Sequence, residues 1–204
     1  MISGFRYARA SIARGLRHAL VASLAVAMLG ACSPTFDWRE LRPSEIPVVI
    51  LLPARPSQMQ REILLGEHKL PMQMIGARAG EQIFTAAWVD LRARMADAAA
   101  PGHEAVLDAM VRGMLRNIGA DKPRERPVAL TAVSQHDGSR LTIKARRVDA
   151  EGMVDGRSVA MRAVFASLPT QAHQFVIIGE RIDDEAAQMF FDAIRLTALP
   201  DKGA

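Results

Sequence analysis

The chain has 204 residues, half of them hydrophobic, and a formal net charge of +4. This length favours one domain plus a leader, and a single cysteine excludes both an intramolecular disulfide and a cysteine-rich zinc site. The basic excess lies wholly before that cysteine, because four of the 26 Lys and Arg residues precede Cys32 and none of the 22 Asp and Glu residues does. The remaining chain is neutral, which removes the main argument for nucleic-acid binding.

The first 31 residues have the organisation of a signal peptide. All four leader arginines lie within residues 1–18, and residues 19–31 are uncharged and mostly apolar, as in the n-region and h-region of a secretory signal. The apolar run is short for a permanent span, which needs roughly 20 residues. Residues 1–31 are therefore predicted to be a cleaved signal peptide.

Leu29, Gly30, Ala31 and Cys32 close this leader. The stretch resembles bacterial lipoprotein signals, in which a diacylglyceryl group is joined to the cysteine sulfur and a signal peptidase cuts before the cysteine. The resemblance implies that Cys32 is the lipid attachment site, with acyl chains such as palmitate, and that residues 29–31 are the peptidase recognition sequence. Membrane lipid is then a partner, and two acyl chains suffice for stable anchoring. Ser33, in place of Asp, implies the periplasmic side of the outer membrane.

Residues 32–45 are predicted to be a lipidated tether, because Pro34 and Pro43 interrupt regular structure. Phe36 and Trp38 within it either lie at the lipid interface or pack back on the domain. A single domain is predicted over residues 46–196, followed by a flexible tail over 197–204.

The first half of the domain predicts strands and one helix. Strands are expected at 48–52, 61–65, 69–77 and 82–91, the last apolar on both faces and therefore central. From His103 to Ile118 the apolar residues recur at helical spacing, which predicts an amphipathic helix with Gly119 at its C-terminal cap. This helical stripe comprises Val106, Leu107, Met110, Val111, Met114, Leu115 and Ile118.

The second half changes to a period of two. Four consecutive antiparallel strands are expected at 127–134, 140–148, 157–167 and 172–179, with hairpin turns at Asp137-Gly138 and Asp155-Gly156. A final helix begins after Asp183, where Asp183, Asp184 and Glu185 provide a cap and favourable charge at the helix N-terminus.

The element order, the stretch 32–40 (CSPTFDWRE) and the ending FFDAIRL over 190–196 resemble small proteobacterial lipoproteins of uncharacterised function with a PsbP-like domain. The resemblance implies an α+β fold with a curved antiparallel sheet flanked by helices. It also implies a non-enzymatic binding or assembly module and supplies no catalytic residue. Fold does not fix function by itself.

No catalytic, phosphate-binding or metal motif is present. His103-Glu104 begins like a zincin helix, but Leu107 stands where the second histidine ligand would be required. His68, His103, His136 and His173 fall in separate segments and are interpreted as surface residues. Met72-x-Met74 has the local spacing of a copper site, although methionine is ordinary core filling. The sequence therefore predicts neither a cofactor nor a metal.

Charged residues offer two further candidates. Lys144, Arg146 and Arg162, with Arg140 and Arg157 nearby, are expected along one sheet face, either as a contact for anionic envelope material or as a solvated surface. The acidic triplet 183–185 is interpreted as a helix cap and not as a Ca²⁺ or acid–base cluster.

The predicted function is that of a periplasmic, membrane-anchored, non-enzymatic module with an envelope protein as its possible partner. Two alternatives remain open. One is a small-ligand or lipid carrier with a pocket between the sheet and the 103–118 helix. The other is an envelope hydrolase, which requires a Ser or Asp within hydrogen-bond reach of His68, His136 or His173 in a cleft.

Overall fold

The computed structural model describes residues 35–44, 47–65, 68–92, 102–134, 137–168 and 170–198. The predicted signal peptide, Cys32, Ser33 and His136 lie outside the described residues, as do residues 199–204 of the predicted tail. The compact unit that contains the domain begins at Phe36.

Most of the described residues are in β-strands. In chain order the ten strands are β1 Arg39–Leu41, β2 Val48–Leu52, β3 Ser57–Leu65, β4 His68–Ala79, β5 Gln82–Asp90, β6 Arg124–Ser134, β7 Arg140–Val154, β8 Arg157–Leu168, β9 Gln171–Gly179 and β10 Arg195–Ala198. The described part of the chain contains two helices, α1 His103–Asn117 and α2 Asp184–Asp192.

All ten strands form one curled, half-barrel sheet in the order β1-β2-β10-β6-β7-β8-β9-β5-β4-β3. The predicted consecutive antiparallel series is confirmed in β6 to β9, and the Asp155-Gly156 turn has the two positive φ angles of a tight hairpin. The pairing of β10 with β6 is parallel, and β10 also pairs antiparallel with β2. The last strand therefore closes the gap between the N-terminal strands and the hairpin series.

The predicted fold class is wrong. The expectation was an α+β, PsbP-like sheet flanked by helices, whereas the structure is β-rich, with a ten-stranded half-barrel and two described helices. The physical reason is the length of the strands: β4 has 12 residues and β7 has 15. Strands of this length twist and curl the sheet, so that side chains of the sheet pack against one another inside the curve. Each helix then covers only part of one face.

Alternation along β5 divides the core into two faces. Phe84 and Ala86 point to the face that carries α2, whereas Ala87 and Val89 point to the face that carries α1. We call these the α2 face and the α1 face. The prediction that this strand is covered on both sides is confirmed.

Helix α1 ends as the sequence predicted. Gly119 has a positive φ of 64°, and the amide of Ala120 donates to the carbonyl of Leu115 at 2.9 Å, as in a Schellman motif. Beyond this cap, the Met153 amide of β7 donates to the Ile118 carbonyl at 2.7 Å. Gly152 permits this approach, since a Cβ there would lie 1.9 Å from the Ile118 oxygen.

The stretch 36–41, within the predicted tether, packs on the α2 face. The rings of Phe36 and Trp38 stack with centroids 5.7 Å apart, and each meets Phe84 edge-on. Of the two alternatives for these aromatic residues, the structure has the one in which they pack on the domain. At the other end, β10 continues to Ala198, into the stretch predicted as a tail.

No helix among the described residues combines the length and the apolar character needed to cross a bilayer.

Candidate functional site: a methionine-lined cleft under α1

A cleft of about 920 Å³ lies on the α1 face between that helix and the strands β3, β4, β5, β8 and β9. Cavities that hold small ligands typically measure about 300–1,000 Å³, so the volume suits a ligand. The apolar residues that line it include Ile63, Met72, Met74, Ile83, Met110, Met114, Val159 and Ile178. The sequence predicted this location only as an alternative, the pocket between the sheet and the 103–118 helix.

Alternation of the strands places these side chains together. Met72 and Met74 are two residues apart on β4 and therefore point to the same face. Met110 and Met114 are one turn apart on α1 and face the same cleft. Four thioether side chains thus line the same cleft, although the two pairs are separated in the sequence by β5 and the connection that follows it.

Gly113 leaves part of the cleft open. It lies in the interior of α1, where glycine costs roughly 0.5–1 kcal/mol relative to alanine. A Cβ at this position would meet nothing within 4 Å. The helix therefore contains a residue that lowers its stability at the point where it borders the cleft.

The polar groups inside the cleft are few. Gln174, which is buried, directs its Nε2 to the Met114 sulfur at 3.8 Å, and Asn117 Nδ2 lies at the same distance from that sulfur. Thr85 Oγ1 donates to the Val176 carbonyl at 3.4 Å. The cleft thus combines apolar side chains with amide and hydroxyl groups.

Charged residues border the cleft in equal numbers of each sign, although alternation along β3 directs the Glu62 side chain to the α2 face. The cations are Arg61, Arg78, Arg116 and Arg157, and the anions are Glu62, Glu81, Asp155 and Glu180. No ion pair joins any of them to another residue within the described ranges. The rim consequently has hydrated charges available to a ligand's polar end.

The predicted basic row does not exist as one surface. Arg146 stands opposite Phe165 and points to the α1 face, whereas Arg162 pairs with Asp184 of α2 at 2.6 Å on the other side. Arg157 lies in the β7–β8 hairpin at the cleft. Lys144 and Arg140 are exposed residues of β7.

Arg146 fixes α1 to the sheet. Its guanidinium lies 2.7 Å from Glu104, 2.5 Å from Asp108 and 3.5 Å from Glu125. The hydrogen bond to Asp108 is the largest cause of a raised pKa for Arg146. This cation is therefore committed to the helix and is not available to an envelope polymer.

The histidines do not assemble a site in the described structure. His173 is fully buried on the α2 face, where its Nε2 lies 2.9 Å from Gln171 Oε1 and burial lowers its pKa to about 3. His103 Nδ1 lies 2.9 Å from Ser167 Oγ at the start of α1, a contact that the sequence did not indicate. The side chain of His68 and all of His136 lie outside the described residues.

The position of the acidic triplet decides its role. The Asp183 carboxylate accepts from the Ala186 amide at 2.8 Å, which confirms the predicted helix cap. Among the residues that the structure describes, no three His, Cys, Asp or Glu side chains are grouped so as to hold a metal ion.

Comparison with known proteins identifies no relative by sequence. No protein-family model matches the chain, and no curated protein does so. One solved structure that matches is PA94 from Pseudomonas aeruginosa, a protein of unknown function, at 14% identity and a TM-score of 0.35, covering 70% of this chain and 82% of that one.

Proposed function

We propose that the protein is an envelope lipoprotein, anchored through Cys32 to the outer membrane, whose α1-face cleft binds an apolar ligand such as a fatty acyl chain. In this proposal the protein is a non-enzymatic binding module, and the ligand that it binds is a lipid. The observation that carries the proposal is the open cleft itself, which is lined by methionine side chains and bordered by Gly113 of α1.

Methionine suits such a role because its unbranched thioether adapts to ligands of different shape. Filling the cleft would cover Met74, Met114 and Ile178, which are only partly buried. Each methylene removed from water contributes about 0.8 kcal/mol, so a long acyl chain has a sufficient driving force.

The test uses a photoreactive fatty acid supplied to cells that produce the full chain. Crosslinks located by mass spectrometry are expected on peptides containing Met72, Met74 or Met114. The variant Gly113→Leu extends a side chain into the cleft where there is free space, and should reduce crosslinking at least tenfold. Arg112→Leu adds the same side chain one residue earlier at an exposed position, and should leave crosslinking unchanged.

Equal crosslinking in the two leucine variants would contradict ligand binding in the cleft. The anchor is tested separately by Cys32→Ala, which should leave unprocessed precursor without acyl label. Normal labelling of that variant would refute the lipoprotein assignment without affecting the cleft.

A further inference from the structure

The two edges of the sheet are unlike each other. One edge is β1, which has three residues. Two of them form ion pairs with neighbouring residues, Arg39 with Asp37 and Glu40 with Arg42. The other edge is β3, with nine residues in uninterrupted register against β4. Short length and charge are the usual protection of an edge strand, and β1 has both, whereas β3 is long.

The outer side of β3 is unpaired within the described structure. Every β3 residue is matched with one of β4, and no backbone hydrogen bond joins β3 to any other described segment. The strand contains no proline and no bulge, two devices that commonly block pairing. Its backbone groups on that side can therefore accept another strand.

The side chains along this edge include two charged residues with an exposed apolar residue on each side of them. Met59 is 61% exposed and Leu64 is 64% exposed, both unusual for large apolar residues. Arg61 and Glu62 between them form no ion pair with a described residue. Because side chains alternate, Met59, Arg61 and Ile63 share the α1 face, while Glu62 and Leu64 share the α2 face.

A second copy of the chain is a poor fit for this edge. A two-fold antiparallel arrangement that pairs all nine residues is centred on Arg61 and places it opposite Arg61 of the other copy. Moving the centre by one residue toward the C-terminus places Glu62 opposite Glu62. Like charges directly opposite each other destabilise a strand pair, so the edge disfavours self-pairing in full register and in this neighbouring one. The register centred on Gln60 opposes no like charges but pairs only seven of the nine residues.

We propose that β3 binds an extended peptide segment of another protein by β-strand addition. The segment carries an acidic residue opposite Arg61, a basic residue opposite Glu62, and apolar residues opposite Met59, Ile63 and Leu64. Backbone hydrogen bonds supply affinity in this mode of recognition, and the alternate side chains supply specificity. This surface is distinct from ligand binding in the cleft, although β3 borders both.

The test compares two labelled peptides of identical composition on the detergent-solubilised full chain by fluorescence anisotropy. The matched peptide is Ile-Val-Lys-Glu-Thr-Val, which satisfies the pattern in antiparallel register, and the control is Ile-Val-Glu-Lys-Thr-Val. Two cross-strand charge pairs change from attractive to repulsive, so the matched peptide is expected to bind about tenfold tighter.

The double variant Arg61→Glu, Glu62→Arg should reverse this preference, which micelle partitioning or general stickiness cannot do. Equal binding of both peptides, or a preference that survives the double variant, would overturn the proposal. The proposal would also be overturned if neither peptide binds and analytical ultracentrifugation shows a dimer of the chain that the variant Met59→Lys dissociates. The Gly113→Leu variant should leave peptide binding intact, so failure of the cleft and failure of the edge can be told apart.

Discussion

The two faces of the sheet are built from different side chains and have different degrees of closure. The α2 face has a continuous aromatic cluster comprising Phe36, Trp38, Phe84, Phe190 and Phe191, each ring in contact with another. The α1 face relies mainly on methionine, valine and alanine, and it contains the cleft. Rigid rings fill one side, whereas adaptable chains and a glycine leave the other side open.

This difference separates stability from binding within one sheet. Aromatic residues contribute large buried areas and preferred edge-to-face geometry, so the α2 face is expected to provide most of the folding free energy. The α1 face gives up part of that energy at Gly113 and at the half-buried methionines. Substitutions on the two faces should therefore differ in size and even in sign.

The largest effect is expected for Phe84→Ala. The ring is fully buried and meets three other aromatic rings, so its loss should lower the free energy of unfolding by about 3–5 kcal/mol. Met74→Ala on the open face should cost less than about 2 kcal/mol, because that side chain borders the cleft and leaves no closed cavity. Denaturant unfolding of both variants checks this, and equal losses would contradict the contrast between the faces.

A smaller loss is expected for Gly152→Ala. Its new methyl group would clash with the Ile118 carbonyl that receives the Met153 amide, and overpacking of this kind costs about 1–3 kcal/mol. The C-terminal end of α1 should separate from β7, so amide hydrogen exchange should accelerate in α1 before it does so in β9. Uniform acceleration throughout the sheet would show instead that α1 is not an independent cover.

The stability of the α2 face should also depend on pH, through His173. Burial holds its pKa near 3 in the folded protein, against 6.5 for the exposed residue, so the unfolded chain binds the extra proton between these values. Stability should therefore fall as the pH drops below about 6.5, by up to about 2 kcal/mol at pH 5.

The control for this prediction is His173→Phe, which can keep the stacking on Phe175 and cannot be protonated. Gln171 Oε1 retains the Trp88 indole as its donor at 3.1 Å in that variant. Denaturation measured from pH 7 to pH 5 should show a shallower decline than in the parent protein. The same slope in both proteins would place the acid sensitivity elsewhere.

The smallest effect is a gain. Gly113→Ala should stabilise the protein by roughly 0.5–1 kcal/mol, because alanine is the better helix residue and its methyl group meets nothing. Thermal unfolding measures the gain. A loss of stability would mean that the helix needs glycine there for its own geometry and not for the space beside it.

Local patterns predicted most elements of this fold. The helical stripe from Val106 to Ile118 and the cap at Gly119 depend on neighbouring residues, and both are confirmed. The strands β1 and β10 were not predicted as strands, because three or four residues carry too little periodicity to identify. The conformation of β1 depends on pairing with β2, and that of β10 depends on pairing with β2 and β6, which are distant from it in sequence.

The cleft shows the same division. The sequence indicated that Met72 and Met74 share a face and that Met110 and Met114 share a helix stripe, but not that the two pairs meet. That encounter depends on how far the sheet curls and where Arg146 and Gly152 hold α1. The sequence by itself determined the types of the longer elements and the neutral charge of the chain after Cys32, because these follow from local spacing and composition. Only the tertiary structure decided the half-barrel, its closed and open faces and its exposed edge, because strand order and curvature arise from contacts between residues far apart in the chain.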